Sequence, residues 1–374
     1  HRGCSTGSYF SSLSSTLPAA KATGNFDLRA NALVESLEYD PDTKRVSAVR
    51  VIDTVTGERS RYSAKLIFLC ASTVGSTQIL MNSMQADRDV SFANESGALG
   101  RYMMDHTYRA GARGIIPGFE EYYPYGNRPN GIYIPRFRNV EGDDGLGFTR
   151  GYGFQGAAGR LSWDTMSKAT PGFGAEFKEG LRKPGPWYMT LGGFGEILPY
   201  AHNTVALHKS KKDRFGIPQV TFHFEFGENE KRHREDLVDQ AVAMLKAAGA
   251  TRIDPYNTEM VGGAAIHEMG TARMGHDPQA AVLNAHNQAH AASNLFVTDG
   301  SAMASASCVN PSLTYMALTA RAMRSGSYRL AQFNVLAALC GGRGSGGYCG
   351  AVVPKLDLCP RTLQPASVVS GAGI

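Results

Sequence analysis

The residues best suited to do chemistry sit in the last third of the chain. They are His267-Glu-Met-Gly-Thr-Ala-Arg-Met274, then Asn294-Leu-Phe-Val-Thr-Asp-Gly-Ser-Ala-Met303 followed by Asn310-Pro-Ser-Leu-Thr314. A histidine titrates near neutrality, so it can take a hydroxyl proton and give it back. The Gly270-Thr271 pair suits a tight turn against a ligand or cofactor, and that turn would aim the imidazole. Leu295-Phe296-Val297 reads as a short buried strand ending in Asp299-Gly300, where open α/β sheets present cofactor-contacting residues. A helix is expected over 311–324, with Pro311 at its first position and Asn310 capping it. Its N-terminus is then an anion-friendly end directed back at His267.

Other chemistries find weaker footing. His286 and His290 have the i, i+4 spacing of zinc ligands on a helix, but Asn287 stands where a glutamate would serve and the surroundings read as a surface loop. Gly3-Cys-Ser-Thr-Gly7 has the Gly-x-Ser-x-Gly form of a nucleophile elbow without the strand before it or the helix after it. Gly342-x-Gly344-x-x-Gly347 has the form of a dinucleotide fingerprint, yet Tyr348 to Pro354 offers no helix to follow it. The six cysteines (Cys4, Cys70, Cys308, Cys340, Cys349, Cys359) match no zinc-ligand spacing and form no disulfide framework in a chain of 374 residues.

In chain order, His-x-x-Gly-Thr at 267, Asn-Leu-x-Val-x-Asp-Gly-Ser at 294 and Asn-Pro-x-x-Thr at 310 resemble the C-terminal signature of the glucose-methanol-choline oxidoreductases, a family of FAD-dependent alcohol and sugar oxidoreductases. Further upstream, Gly3-Cys-Ser-Thr-Gly7 resembles the segment that follows the family's flavin-binding loops. Ala71-Ser72 ahead of Ser76-Thr-Gln-Ile-Leu80 resembles its second signature, although Met81-Asn-Ser-Met84 departs from the usual ending. Leu99-Gly-Arg-Tyr-Met-Met-Asp-His106 resembles its Asn-Leu-x-Asp-His segment, with Asp105 and His106 read as structural rather than catalytic.

The resemblance implies His267 as the base, or as the partner of the substrate hydroxyl, with Asn310 as a second, uncharged donor beside it. It implies FAD as cofactor. The adenine would meet the strand at Leu33 or Val34, and Ala71 and Ser72 would lie at the next strand-to-helix turn. Asp299 and Gly300 would meet the ribityl or pyrophosphate part, and Asn310, Pro311 and Ser312 the flavin pyrimidine. Expected partners are a small alcohol or sugar and an electron-acceptor protein or quinone. The wording Ser307-Cys-Val-Asn-Pro311 leans towards sugar and sugar-acid dehydrogenases, such as gluconate or fructose dehydrogenase subunits. The family's adenosine-binding Gly-x-Gly-x-x-Gly belongs ahead of residue 1. The expectation is therefore the C-terminal part of such an enzyme, lacking the N-terminal FAD-binding motif, and the alternative is an inactive fragment that binds no FAD. The start at His1 is likewise expected not to be the natural N-terminus.

These residues need elements to hold them. Phe26 to Asp40, Val46 to Ile52 and Glu58 to Tyr62 predict a β-meander, and Lys65-Leu-Ile-Phe-Leu-Cys-Ala71 predicts a strand buried on both faces, followed by a helix over 77–84. Alternating strands between 107 and 261 and a helix over 228–248, apolar at Leu237, Ala241, Met244 and Leu245, predict a sheet backed by a helix. Trp163, Trp187, Tyr188, Phe194 and Glu196 are candidates to line its substrate cavity. The fold class is α/β, or α+β overall: an incomplete doubly wound FAD-binding domain (1–100 and 262–330), an inserted antiparallel substrate domain (101–261), and a linker-like or disordered tail (331–374).

A net charge of +5 with scattered basic residues gives no footing for nucleic acid. No run approaches the ~18 apolar residues of a membrane span, so a soluble cytoplasmic or periplasmic protein is expected.

Overall fold

The computed structural model describes residues 10–83, 91–123, 131–142, 144–258, 261–327, 335–340 and 349–354. The calls on Gly3 to Gly7 and on Gly342 to Gly347 lie outside these residues, as does the expected helix end at Met84.

A short helix, α1 (Leu17–Ala22), precedes β1 (Phe26–Arg29) and the meander β2 (Ala32–Asp40), β3 (Arg45–Asp53) and β4 (Arg59–Tyr62). The extended stretch expected from Phe26 to Asp40 breaks at Asn31, whose φ of 59° turns the chain between β1 and β2. Asparagine tolerates that left-handed conformation better than most residues. Val34, Leu37, Val46, Val49 and Val51 form the meander's buried side. The predicted strand is β5 (Leu66–Cys70), buried from Leu66 to Leu69, and it leads into α2 (Thr73–Asn82), which starts earlier than its predicted position.

The second sheet follows: β6 (His106–Thr107), β7 (Ala110–Ile116), β8 (Gly131–Ile134), β9 (Tyr152–Arg160) and, after α3 (Trp163–Ala169) and α4 (Gly174–Arg182), β10 (Trp187–Glu196). A hairpin of β11 (Thr204–Lys212) and β12 (Pro218–His223) leads to the 20-residue α5 (Glu228–Ala247), and β13 (Thr251–Asn257) joins the edge at β7. Its strands run in the order β13-β7-β10-β9-β8, antiparallel throughout, with β6 pairing β10. Leu191, Tyr152, Phe154, Ala110 and Ala112 face α5, where Leu237, Ala241 and Leu245 complete the core. The pleat sends alternate residues to the other side, so Gln155, Phe194, Glu196 and His106 share the opposite face.

The chain then returns to the first sheet through β14 (Leu295–Val297), parallel to β5, and the helix α6 (Ser312–Ser327). Two strands lie in the stretch expected to be linker-like or disordered. They are β15 (Val335–Cys340), parallel to β5 on the side away from β14, and β16 (Cys349–Pro354), which hairpins back to pair β1. Both edges of β5 are therefore paired. The apolar composition of 335–340 suits a strand in a parallel sheet.

Candidate active site

His267 reaches its place through a tight backbone clasp. The buried Asp105 carboxylate accepts the Ala265 N–H at 3.1 Å and the His267 N–H at 3.0 Å. Between them Ile266 has φ 67°, a conformation that a β-branched residue rarely adopts and that the surrounding contacts must hold. Burial raises the Asp105 pKa, and the neighbouring backbone N–H groups, those of His106 and His267 among them, pull it back towards ionisation. On the far side of His267, Met104 and Met269 exchange backbone hydrogen bonds of 2.8 and 2.9 Å.

The Gly270-Thr271 turn packs against a neighbouring segment of the chain. A Cβ on Gly270 would lie 2.1 Å from the Tyr102 carbonyl oxygen, and the Thr271 hydroxyl meets that of Thr77 at 2.6 Å. The small residue thus admits neighbouring backbone, and the turn just after His267 is fixed by these contacts.

Two imidazole rings and two amides then form a short polar row. His267 Nε2 lies 3.0 Å from Asn310 Nδ2, and Asn310 Oδ1 accepts from Gln155 Nε2 at 2.7 Å. His267 Nδ1 lies 3.0 Å from His106 Nδ1. Phe194 lies within reach of both histidine rings, with centroids 6.2 and 6.3 Å away, and stacks on Tyr108. Burial, followed by the neighbouring His267, holds the His106 pKa down at about 4. His106 Nε2 has no hydrogen-bond partner, and Oε1 of Glu196, the residue directly opposite it on β10, has only the Arg150 guanidinium at 3.8 Å.

His267 and Asn310, named from sequence, are brought together, and Phe194 and Glu196 lie on the sheet face that meets them. Gln155 had no motif to mark it, and Asp105 and His106, read as structural, touch His267 directly. Trp163 is 68% exposed on α3, and Trp187 donates to the Tyr122 carbonyl, so neither adjoins the pair through any of these contacts. Tyr188 shares the Phe194 face but lines a separate cavity of about 560 Å³ with Arg113, Thr190 and Asp254. His286 and His290 contact the Ser325 hydroxyl and the Gly275 carbonyl.

Two expectations about the helix need correction. It begins at Ser312 rather than Pro311, and the Asn310 amide is spent on His267 and Gln155 rather than on a cap.

The residues expected to hold FAD divide into two groups. Val34 is packed in the core, so a contact from β2 would have to come from its backbone. Ala71 is buried, and its N–H donates to Ser76 Oγ. The Asp299 carboxylate, whose pKa burial raises, accepts from Ser301 N at 2.9 Å, from Ser301 Oγ at 2.6 Å and from the Ser76 hydroxyl, which spends both oxygens inside the protein. A Cβ on Gly300 would strike the Glu268 carbonyl at 2.5 Å, so packing alone accounts for that glycine. Pro311 is buried.

Ser72 and Ser312, by contrast, are exposed. Ser72 has φ 65° and leaves the first turn of α2 uncapped. Leu313 is 77% and Met316 44% exposed near Asn310. Bare apolar side chains beside a polar pair, with an uncapped helix start across the first sheet, fit a ligand with a flat ring and a phosphate-bearing arm.

Models described as GMC oxidoreductase match residues 1–108 and 199–319, together more than half of the chain. The chain belongs to the GMC oxidoreductase family. The match at 1–108 conflicts with the expectation that the chain lacks the N-terminal FAD-binding motif. The chain is 31% identical over 338 residues to 2-methyl-1,2-propanediol dehydrogenase of Mycolicibacterium austroafricanum, covering 89% of this chain and 59% of that protein. It is 27% identical over 325 residues to the fructose dehydrogenase large subunit of Gluconobacter japonicus, covering 85% and 57%. This family member thus spans somewhat over half the length of these relatives. Among solved structures, an Aspergillus oryzae formate oxidase variant shares the fold with a TM-score of 0.54 at 13% identity, covering 80% of this chain and 60% of that one.

Proposed function

We propose that the chain oxidises a CH–OH group of an alcohol, sugar or sugar acid with FAD as cofactor, as a dehydrogenase. The observation that carries this reading is the His267–Asn310 pair, held at 3.0 Å by Gln155 on one side and His106 on the other. FAD, when bound, supplies the acceptor for the hydride that leaves the substrate carbon.

The chain's own residues do the rest. A substrate hydroxyl placed between His267 Nε2 and Asn310 Nδ2 gives its proton to the imidazole and receives a hydrogen bond from the amide. The amide donor stabilises the developing alkoxide without being able to take the proton itself. Phe194 excludes water on the sheet side, which strengthens both contacts. Ser312 and the start of α6 would meet the pyrimidine end of the flavin ring, with Leu313 and Met316 offering apolar cover, and Ser72 with the start of α2 would meet the phosphate-bearing arm. The family relatives named as dehydrogenases of a diol and of fructose support a small polyol or sugar as substrate, and an electron-acceptor protein or quinone as the onward partner.

Visible absorption of the purified protein tests the cofactor, and turnover with sugars or diols and a quinone or dye acceptor tests the reaction. Flavin absorbance together with an acceptor-dependent rate is expected, and His267→Ala should lower that rate by about 10²–10⁴-fold with flavin retained. A colourless protein would overturn the cofactor assignment, and unchanged turnover in His267→Ala would remove the residue from the mechanism. Rapid turnover with oxygen alone would overturn the dehydrogenase reading.

A further inference from the structure

We infer that His106 is a positioning residue that fixes which nitrogen of His267 is free to act as the base. The inference rests on His267 being that base. It starts from a contact that sequence reading treats as structural, His106 Nδ1 to His267 Nδ1 at 3.0 Å. Two imidazole nitrogens at this distance share one hydrogen, so one ring donates and the other accepts. Which one donates decides the state of the reactive end. If His267 donates from Nδ1, its Nε2 carries a lone pair towards Asn310 and can take a proton. If His106 donates, Nε2 of His267 carries the hydrogen and is no base.

The surroundings favour the first arrangement. His106 is buried and its ring stays neutral, with one bare nitrogen available to accept from His267. At the other end, Gln155 donates to Asn310 Oδ1, which turns Asn310 Nδ2 towards His267 Nε2 and calls for a lone pair there. A bare Nε2 on His267 leaves its hydrogen on Nδ1, where His106 accepts it. His106 is fully buried and stays uncharged at neutral pH, held down by that burial and by His267. An uncharged ring can accept from His267 without competing for its proton.

The cost of this device is visible in the fold. His106 Nε2 is buried with no hydrogen-bond partner, a condition uncommon enough in native proteins to call for an explanation. An apolar ring of similar shape at 106 would remove that orphaned group and need not weaken the fold. A purely structural role gives no reason to retain a histidine here, whereas orienting His267 does. Asp105, one residue earlier, fixes the backbone at His267, and His106 fixes its ring.

The test reads the tautomer directly, by nitrogen chemical shifts of the histidine rings in the uniformly ¹⁵N-labelled protein near neutral pH. His267 is expected with Nδ1 protonated and Nε2 bare, and His106 with Nε2 protonated. In His106→Phe the bare Nε2 of His267 should give way to a mixture of tautomers, with a fall in kcat of about 10–100-fold, as is usual when an orienting partner is lost. In His106→Asn, whose side-chain oxygen can accept from His267 Nδ1, the wild-type tautomer and most of the rate should return. If the Phe ring does not fit, as judged by circular dichroism, His106→Leu serves in its place. A wild-type His267 protonated on Nε2 would overturn the inference, as would a tautomer indifferent to all these substitutions. Neither reading depends on turnover, so a protein with the expected tautomers and no activity would refute the proposed function while leaving this inference standing.

Discussion

At the scale of single residues, what could be read in advance was what local sequence determines. His267 and Asn310 sit in compact motifs, and the structure brings them to 3.0 Å. Gln155 and His106 lie 155 and 161 positions from the residues they touch and come from strands whose register no local pattern reveals. Buried histidines also leave a trace in solution. Burial brings His106 down to about 4 and His233 to about 3, from an ordinary value of 6.5. For such groups the folded pKa lies below the unfolded one, so the unfolded chain binds more protons as pH falls below 6.5 and stability is lost in that direction. Each group costs about 1.4 kcal/mol per pH unit below that point, or about 2 kcal/mol at pH 5. Asp105 and Asp299, raised by burial, act in the opposite sense at pH values above their ordinary 3.8, so the clean measurement is a difference. Urea unfolding of the wild type and of His106→Phe between pH 7 and 5 should show the wild type losing about 2 kcal/mol more. Parallel pH curves would mean that His106 binds its proton as readily in the folded protein as in the unfolded chain.

At the scale of elements, the predicted strand at β5, the meander and the amphipathic α5 follow from hydrophobic period alone. What period does not disclose is how closely α5 approaches its sheet. On β10 the α5 side carries Gly193 and Gly195. A Cβ on Gly193 would lie 2.0 Å from Leu237 Cδ1, and one on Gly195 would lie 2.3 Å from His233 Nε2. These glycines are therefore the floor on which Leu237 and His233 rest, with His233 Nε2 2.8 Å from the Thr107 hydroxyl. The reverse face of the same strand presents Phe194 and Glu196 to the active site, so any lift of α5 would be felt there. Gly193→Ala should destabilise by about 1–3 kcal/mol through overpacking. Leu237→Ala alone should cost about 2–5 kcal/mol. In the double variant the new methyl occupies part of the space that Leu237 vacates, so the two effects should sum to less than the separate losses. Strict additivity in chemical denaturation would show that Gly193 and Leu237 do not share that space.

At the scale of the whole molecule, the open α/β reading follows from an apolar strand ending in Ala71-Ser72 and a second ending in Asp299-Gly300, and β5 and β14 do pair in parallel. Their other neighbour was out of reach of any such reading, because the strand beside β5 comes from residues 335–340, in a stretch whose glycine-rich composition suggested a linker. The consequence is mechanical. β5 is the strand from which Ala71 and Ser72 emerge, and its Leu66 to Leu69 are buried, so its backbone groups must be paired on both edges or left unsatisfied. β15 supplies the edge opposite β14, and β16 ties that edge to β1 near the start of the chain. Deleting residues 328–374 should therefore do more than trim an end. It bares a parallel strand whose exposed edge and apolar faces invite pairing with other chains. The shortened protein should show a lower melting temperature and concentration-dependent aggregation, while α5 and the second sheet, which have a core of their own, keep their amide-exchange protection. A truncated protein that stays monomeric and melts with the full chain would show that β15 does not support β5, and the sheet would then have to hold the Ser72 turn from the β14 side alone.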